Sequence, residues 1–306
     1  MRVGARRDWR HSNLYSKLTM NKFFAFIATV LVAFGASAQV EVRFGNEAAD
    51  TVSITRLLDA AAARNFDSPE ARTAFFGRQF IDIPYGAHTL EGPEEILTVR
   101  LDSLDCTTFV ETAMVLAYTA GEHRTSWRDF VYNLRRFRYR NGEVDGYPSR
   151  LHYNCDWAVD NKHRGNITDV TPTLPKCSYI VRTIDFMSSH RNAYPALTDS
   201  ANYARIRSIE SGYRNHKFPY IKTVDLNNGA VKDSLRDGDV VAFVSKLPDL
   251  DVTHMGMIVK ESPTAEPYVL HASQTNGKVE VSARPLADFV KRNRNWLGIR
   301  VYRLTE

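Results

Sequence analysis

After Asp237 the chain alternates apolar and small or polar residues in four short runs: VVAFV (240–244), VTHMGMIVKE (252–261), PYVLHAS (267–273) and GIRVYRL (298–304). Period-2 alternation over such lengths specifies strands, and short turns between them specify antiparallel neighbours. Upstream the period is helical. It runs from residue 52 to about 64, with Thr51 or Ser53 as caps, and again over about 69–80, 106–120 and 127–137, with one more helix at 200–211. Helices first and an antiparallel sheet last define an α+β domain, not an alternating parallel sheet. No internal repeat or low-complexity linker interrupts it.

The net charge of +5 would suit a nucleic-acid binder, but it is unevenly distributed. Residues 1–38 carry six basic side chains (Arg2, Arg6, Arg7, Arg10, Lys17, Lys22) and one acid, Asp8; removing these from the totals of 40 and 35 leaves 34 of each. A neutral remainder excludes the electrostatic footprint of a nucleic-acid protein. The leader reads as an export signal: Lys22, an apolar core FFAFIATVLVAF (23–34), then Ala36-Ser37-Ala38 as a small-x-small cleavage pattern with a mature start at Gln39. Met20 stands directly before this pattern and is an alternative start. The apolar core is far short of the ~20 residues a membrane span requires. The expected product is an exported protein, periplasmic or secreted, with no span after cleavage and one domain over 39–306.

Exported thiols tend to be oxidised, and three cysteines leave at least one over. A Cys155–Cys177 pair would leave Cys106 free; spacing alone does not decide it. Cys106 sits in LDCTTFVE (104–111), where Asp105 can cap a helix with apolar positions Phe109, Val110, Ala113, Met114, Ala117 and Ala120, ended by Gly121. That puts the thiol in the first turn, where free N–H groups and the dipole favour a thiolate. An inert buried thiol would have the same local pattern.

A nucleophile needs a base, and the base an orienting group. Alternation puts Val252, His254, Gly256 and Ile258 on one strand face, and Val269, His271 and Ser273 on one face of the next. Pairing across ESPTAEP (261–267) sets His254 opposite His271 or one diagonal step away. Gly256 then leaves room above the strand for a substrate.

Asp105-Cys106 at a helix start, Gly238-Asp239 before a strand, His254-Met255-Gly256 on the next and His271-Ala272 on the one after resemble, in that order, the NlpC-type, papain-like cell-wall cysteine peptidases. Pro84-Tyr85-Gly86 resembles the tyrosine loop that precedes their cysteine. Two features differ: Thr107-Thr108 replace the usual Ser-Gly, and the connection at about 121–235 is unusually long. Both, with TLE (89–91), FVE (109–111), RLHY (150–153) and Asp156-Trp157, resemble the N-acetylmuramoyl-L-alanine amidase-like branch. The resemblance implies a papain-like core, its nucleophile helix packed on an antiparallel sheet with a long insertion between them. It implies Cys106 as nucleophile, His254 as base and then acid, and His271 as orienter, with the Cys106 N–H in an oxyanion hole. The implied reaction is cleavage of the amide between muramic acid and L-alanine in peptidoglycan or a muropeptide.

Tyr85 is a candidate for positioning substrate, and Arg150, His152, Asp156 and Trp157 in the insertion combine charge with an aromatic platform suited to an anionic sugar-peptide. Asp239 shapes a turn. The alternatives are a D-Glu–diamino-acid endopeptidase with the same mechanism, a zinc hydrolase using His152, His254, His271 or a carboxylate, and a wall-binding module without catalysis. HExxH and CxxC pairs are absent from the sequence, and neither metal nor cofactor is expected.

Overall fold

The computed structural model describes residues 41–305; the leader and its cleavage pattern lie outside them. In chain order the elements are β1 (Val42–Phe44), α1 (Glu47–Ala62), α2 (Pro69–Arg78), β2 (Leu97–Val99), α3 (Cys106–Gly121), α4 (Trp127–Arg138), α5 (Asn154–His163), β3 (Ile167–Asp169), β4 (Cys177–Arg182), α6 (Phe186–Ser189), α7 (Ser200–Ser211), β5 (His216–Lys222), α8 (Gly229–Ser234), β6 (Val240–Ser245), β7 (Val252–Val259), β8 (Tyr268–Ser273), β9 (Lys278–Val281), α9 (Leu286–Arg292) and β10 (Trp296–Leu304).

The fold is α+β. Its main sheet is antiparallel throughout, in the order β4-β5-β10-β6-β7-β8-β9, with β3 also on β10. β10 lies against β6 along one edge, while its other edge is divided between β5 at Gly298–Ile299 and β3 at Tyr302–Leu304. The stretch 121–235 is therefore no appendage: it contributes β3, β4 and β5 to the main sheet. Helix α5 begins at the end of the aromatic, basic passage 135–157, where charge masks the helical period, and runs on to His163. The parallel pair β1–β2 forms a second, small sheet.

Each sheet face has its own cover. Val241, Phe243, Ile258, Val269, Ile299 and Val301 pack with Leu286 and Val290 of α9 and Val231 of α8. On the opposite face Gly77 of α2 meets Met257 and Leu270. Helix α3 lies among α1, α2, α4, β7 and β8, so Phe109, Val110 and every residue of 113–117 are fully buried. A helix covered on all sides must be apolar around most of its circumference, which explains why Val115 and Leu116 stand outside the stripe read from sequence.

Local chemistry sets the helix starts. Asn46, not Thr51 or Ser53, caps α1, its side chain accepting from Ala49 N at 3.1 Å, and the helix begins five residues earlier than its apolar pattern. Gly238 shapes the turn into β6: its φ is +90°, and a Cβ there would lie 1.9 Å from the Glu70 carbonyl oxygen. Asp239 beside it is fully buried and accepts from Arg303 Nε at 2.7 Å and from the Arg236 N–H at 2.9 Å. No helix among the described residues is long and apolar enough to cross a membrane.

Candidate functional site

Cys106 is the first residue of α3, and its position is fixed by a reciprocal cap. Asp105 Oδ1 accepts from the N–H groups of Thr107 (3.0 Å) and Thr108 (2.7 Å), and Thr108 Oγ1 accepts from Asp105 N at 2.9 Å. The threonine at position 108 thus completes a capping box. Phe109 N donates to the Asp105 carbonyl, so among the described residues the Cys106 N–H has no acceptor on another residue.

The passage 82–86 holds this helix start against the sheet edge. Tyr85 N donates to Gly277 O (2.8 Å), Leu104 N to Pro84 O (3.0 Å) and Gly86 N to Leu104 O (3.2 Å). Tyr85 is consequently beside Cys106. Burial raises its phenol above the usual range, and the neighbouring Cys106 and Asp105 add to the shift.

The imidazole pair follows the predicted face and spacing. Extending the β7–β8 register of Met257–Leu270 and Ile258–Val269 puts His254 one diagonal step from His271, and His254 Nε2 lies 2.9 Å from His271 Nδ1. The ladder between β6 and β7 shifts from Phe243–His254 to Val244–Val252, leaving Thr253 as an extra residue. Both Thr253 and His254 consequently reach Trp296, whose Nε1 donates to Thr253 Oγ1 at 2.9 Å and whose ring stacks 5.8 Å from His254. Phe243 also stacks on the His254 ring, at 5.4 Å, and Phe289 lies 5.0 Å from His271. The rings are thus on the face that α9 covers. Gly256 does not leave room for substrate: a Cβ there would meet Leu270 O and Val269 Cγ1 at 2.9 Å and His271 Cβ at 3.2 Å. The glycine instead lets β8 approach closely.

Cys106, His254, His152 and Trp157 line one cavity of about 120 Å³, with Thr107, Glu111 and Met255 among its other walls. No hydrogen bond joins Sγ to either imidazole; Sγ lies 4.0 Å from Thr107 Oγ1 and interacts with the Met255 N–H. Burial, then the Asp105 charge, pushes the Cys106 thiol up to about 11. That reverses the thiolate expectation: loss of water outweighs the helix terminus. Burial and, second, His271 bring His254 down to about 3, and burial with the charge of Arg150 brings His152 to about 3. Burial also lowers His271, opposed by the Glu280 carboxylate across the β8–β9 ladder.

Two predicted substrate contacts lie elsewhere. Arg150 is 7% exposed, with its guanidinium on Glu91 (2.8 Å) and Glu95 (3.3 Å) and over the Tyr147 ring. Asp156 is buried against Arg140 and accepts from Tyr213 Oη at 2.8 Å. Asp156 ties parts of the insertion together, Arg150 ties the insertion to the upstream segment at Glu91 and Glu95, and neither lines the Cys106 cavity. His152 does line it, with Nε2 2.9 Å from Tyr147 O, as does Trp157, 3% exposed and edge-on to Tyr302. Reading by residue type missed Glu111, which forms a buried pair with Arg138 at 2.7 Å; its only signal was its place in FVE. Cys155 and Cys177 are free and sit by different core clusters. Among the described residues no three His, Cys, Asp or Glu side chains gather as a metal-ion site.

A helix-head cysteine and a histidine on the wall of one cavity, with a second histidine hydrogen-bonded behind the first, on an α+β scaffold have the composition of a hydrolase site. A profile of the N-acetylmuramoyl-L-alanine amidase-like family, AmiA-like, matches residues 75–299, and the chain belongs to that family. An N-acetylmuramoyl-L-alanine amidase from Bacteroides uniformis is 34% identical, with a TM-score of 0.72 over 78% of this chain and 99% of that one. A Bacteroides fragilis protein named as a presumptive xylanase is 35% identical, with a TM-score of 0.68 over 75% and 99%. A Legionella pneumophila protein at 21% identity and TM-score 0.65 over 85% and 97% shares the fold. Among curated proteins nothing matches.

Proposed function

We propose that this protein is an exported, papain-like cysteine amidase, with its catalytic domain over 39–306, that cleaves the bond between N-acetylmuramic acid and L-alanine in peptidoglycan or its fragments. The observation that carries the reading is the Nε2–Nδ1 contact of His254 and His271 at the wall of the cavity that Cys106 lines. If His254 Nε2–H donates to His271, Nδ1 of His254 is the basic nitrogen. It accepts the Sγ proton as sulfur attacks the lactyl carbonyl carbon; such contacts are often long before substrate binds. The Cys106 N–H stabilises the oxyanion. Collapse breaks the C–N bond, and His254 returns the proton to the departing L-alanine amine. Water, deprotonated by His254, then hydrolyses the thioester to the muramyl carboxylate and regenerates the thiol. His271 holds the ring in orientation; a neutral partner stabilises imidazolium less than a carboxylate does.

Glycoside hydrolysis fits the cavity poorly. It needs two carboxyl groups across the scissile bond, whereas the cavity has one, Glu111, already paired with Arg138. The test is a digest of purified muropeptides with wild type and Cys106→Ala, with products weighed by mass spectrometry. Intact stem peptide from wild type alone supports the amidase; a truncated stem means an endopeptidase, and activity in Cys106→Ala means another mechanism.

A further inference from the structure

Thr253 and His254 are walls of two spaces. The first is the Cys106 cavity. The second is an open groove of about 1000 Å³ that starts at His254, His271 and Trp296 and runs between the chain at 245–247, 273–276 and 282–284 and the segment 289–296. The groove is unbalanced in charge. Lys246, Arg284, Arg292 and Arg294 line it, all exposed, and among the described residues none of the four is in an ion pair. Its single acid is Glu280, which accepts from Asn276 Nδ2 at 2.6 Å. Several arginines elsewhere are matched, as Arg78 is with Asp237 and Arg303 with Asp239. A groove lined with unneutralised cations raises the local concentration of anions and orients them.

The Cys106 cavity has the opposite character. It is smaller, walled by Leu151, His152, Tyr153 and Trp157, and its only carboxylate is neutralised by Arg138. A muramyl-peptide has the same asymmetry about its amide: a sugar without charge on the carbonyl side, and on the nitrogen side a peptide bearing the D-Glu, diamino-acid and C-terminal carboxylates. Resting on the amidase reading above, we infer that the basic groove is the stem-peptide site and selects stems with free carboxylates, the sugar lying on the Cys106 side. His254, which with Thr253 is common to both spaces, then stands where the scissile nitrogen must receive its proton.

The test combines two readouts. Full-length Cys106→Ala is titrated calorimetrically with free tetrapeptide stem, either with all carboxylates or with D-Glu and the diamino acid amidated. Wild type and Arg284→Gln/Arg292→Gln/Arg294→Gln are assayed on the two corresponding muropeptides. The acid stem binds about tenfold more tightly than the amidated one, and about 0.5 M salt removes the difference. The triple variant raises KM about tenfold on the acid substrate, changes it little on the amidated one and leaves kcat within about twofold. Equal binding of the two stems, or an equal loss on both substrates, overturns the inference while intact stem release keeps the amidase reading. A truncated stem, or no product from wild type, overturns the amidase reading instead, and the calorimetry still decides whether the groove holds an anionic peptide.

Discussion

Burial and the Asp105 carboxylate hold the Cys106 thiol near 11, and burial beside His271 holds His254 near 3. Between those values both groups are neutral, so on the proposed mechanism transfer of the Sγ proton to His254 belongs to the reaction and not to the resting enzyme. The sign follows for each limb: His254 stops acting as a base only as pH falls toward 3, and free thiolate accumulates only as pH rises toward 11. The acid limb of kcat/KM is therefore expected below pH 5, where an ordinary histidine would place it near 6.5. Alkylation of Cys106 by iodoacetamide at pH 7 should be roughly a hundredfold slower than that of an exposed cysteine, rising steadily above pH 9. An acid limb at 6.5 or fast alkylation at neutral pH would reveal a preformed thiolate–imidazolium pair. At this scale the sequence was informative where backbone pattern sufficed: the cap at Asp105, the shared face of His254 and His271, and their diagonal spacing. It was uninformative about Arg150 and Asp156, because residue type does not tell a buried ion pair from an exposed anion contact. It carried no measure of the thiol's desolvation, which depends on residues of the insertion, such as His152 and Trp157, that share the cavity with the helix start.

At the scale of elements, two devices connect local structure to the site. In the first turn of α3, Asp105 both caps the helix and raises the Cys106 pKa. Asp105→Asn separates the two roles, since asparagine caps about as well as aspartate but has no charge. Thermal stability should change by no more than about 1 kcal/mol, while alkylation of Cys106 at pH 8 becomes measurably faster; an unchanged rate would mean that burial alone sets the thiol. In the hairpin, Gly256 admits β8 against β7. Gly256→Ala is expected to destabilise the fold by about 1–3 kcal/mol through overpacking, because Leu270 O is main chain and cannot yield. Urea unfolding measures this, and a cost below about 0.5 kcal/mol would show that the strands separate without strain. The hairpin was legible because its period is 2 and its turn short. Helix α5 was not, its burial coming from contacts such as Trp157 with Tyr302 far along the chain.

Across the whole molecule, the Glu111–Arg138 pair joins parts that no local pattern relates. Glu111 is on α3 at the cavity wall, Arg138 is the last residue of α4, and Arg138 Nη1 also donates to Thr98 O of β2 at 2.6 Å. Both side chains are at most 4% exposed. A charge taken from water without its partner costs several kcal/mol, whereas an apolar pair of similar volume can be neutral or stabilising. Arg138→Met leaves Glu111 as an unpaired buried carboxylate and is expected to lower stability by about 3–5 kcal/mol. Glu111→Leu/Arg138→Met should recover at least half of that loss, because no buried charge remains. Urea unfolding of the single and double variants gives the coupling directly. Activity then separates scaffold from chemistry. If Glu111 serves only to hold α3 against α4, the folded double variant keeps the wild-type kcat on a muropeptide, with any change confined to KM. A fall of more than about a hundredfold in kcat, with stability restored, would instead assign the Glu111 carboxylate a part in the reaction beside Cys106.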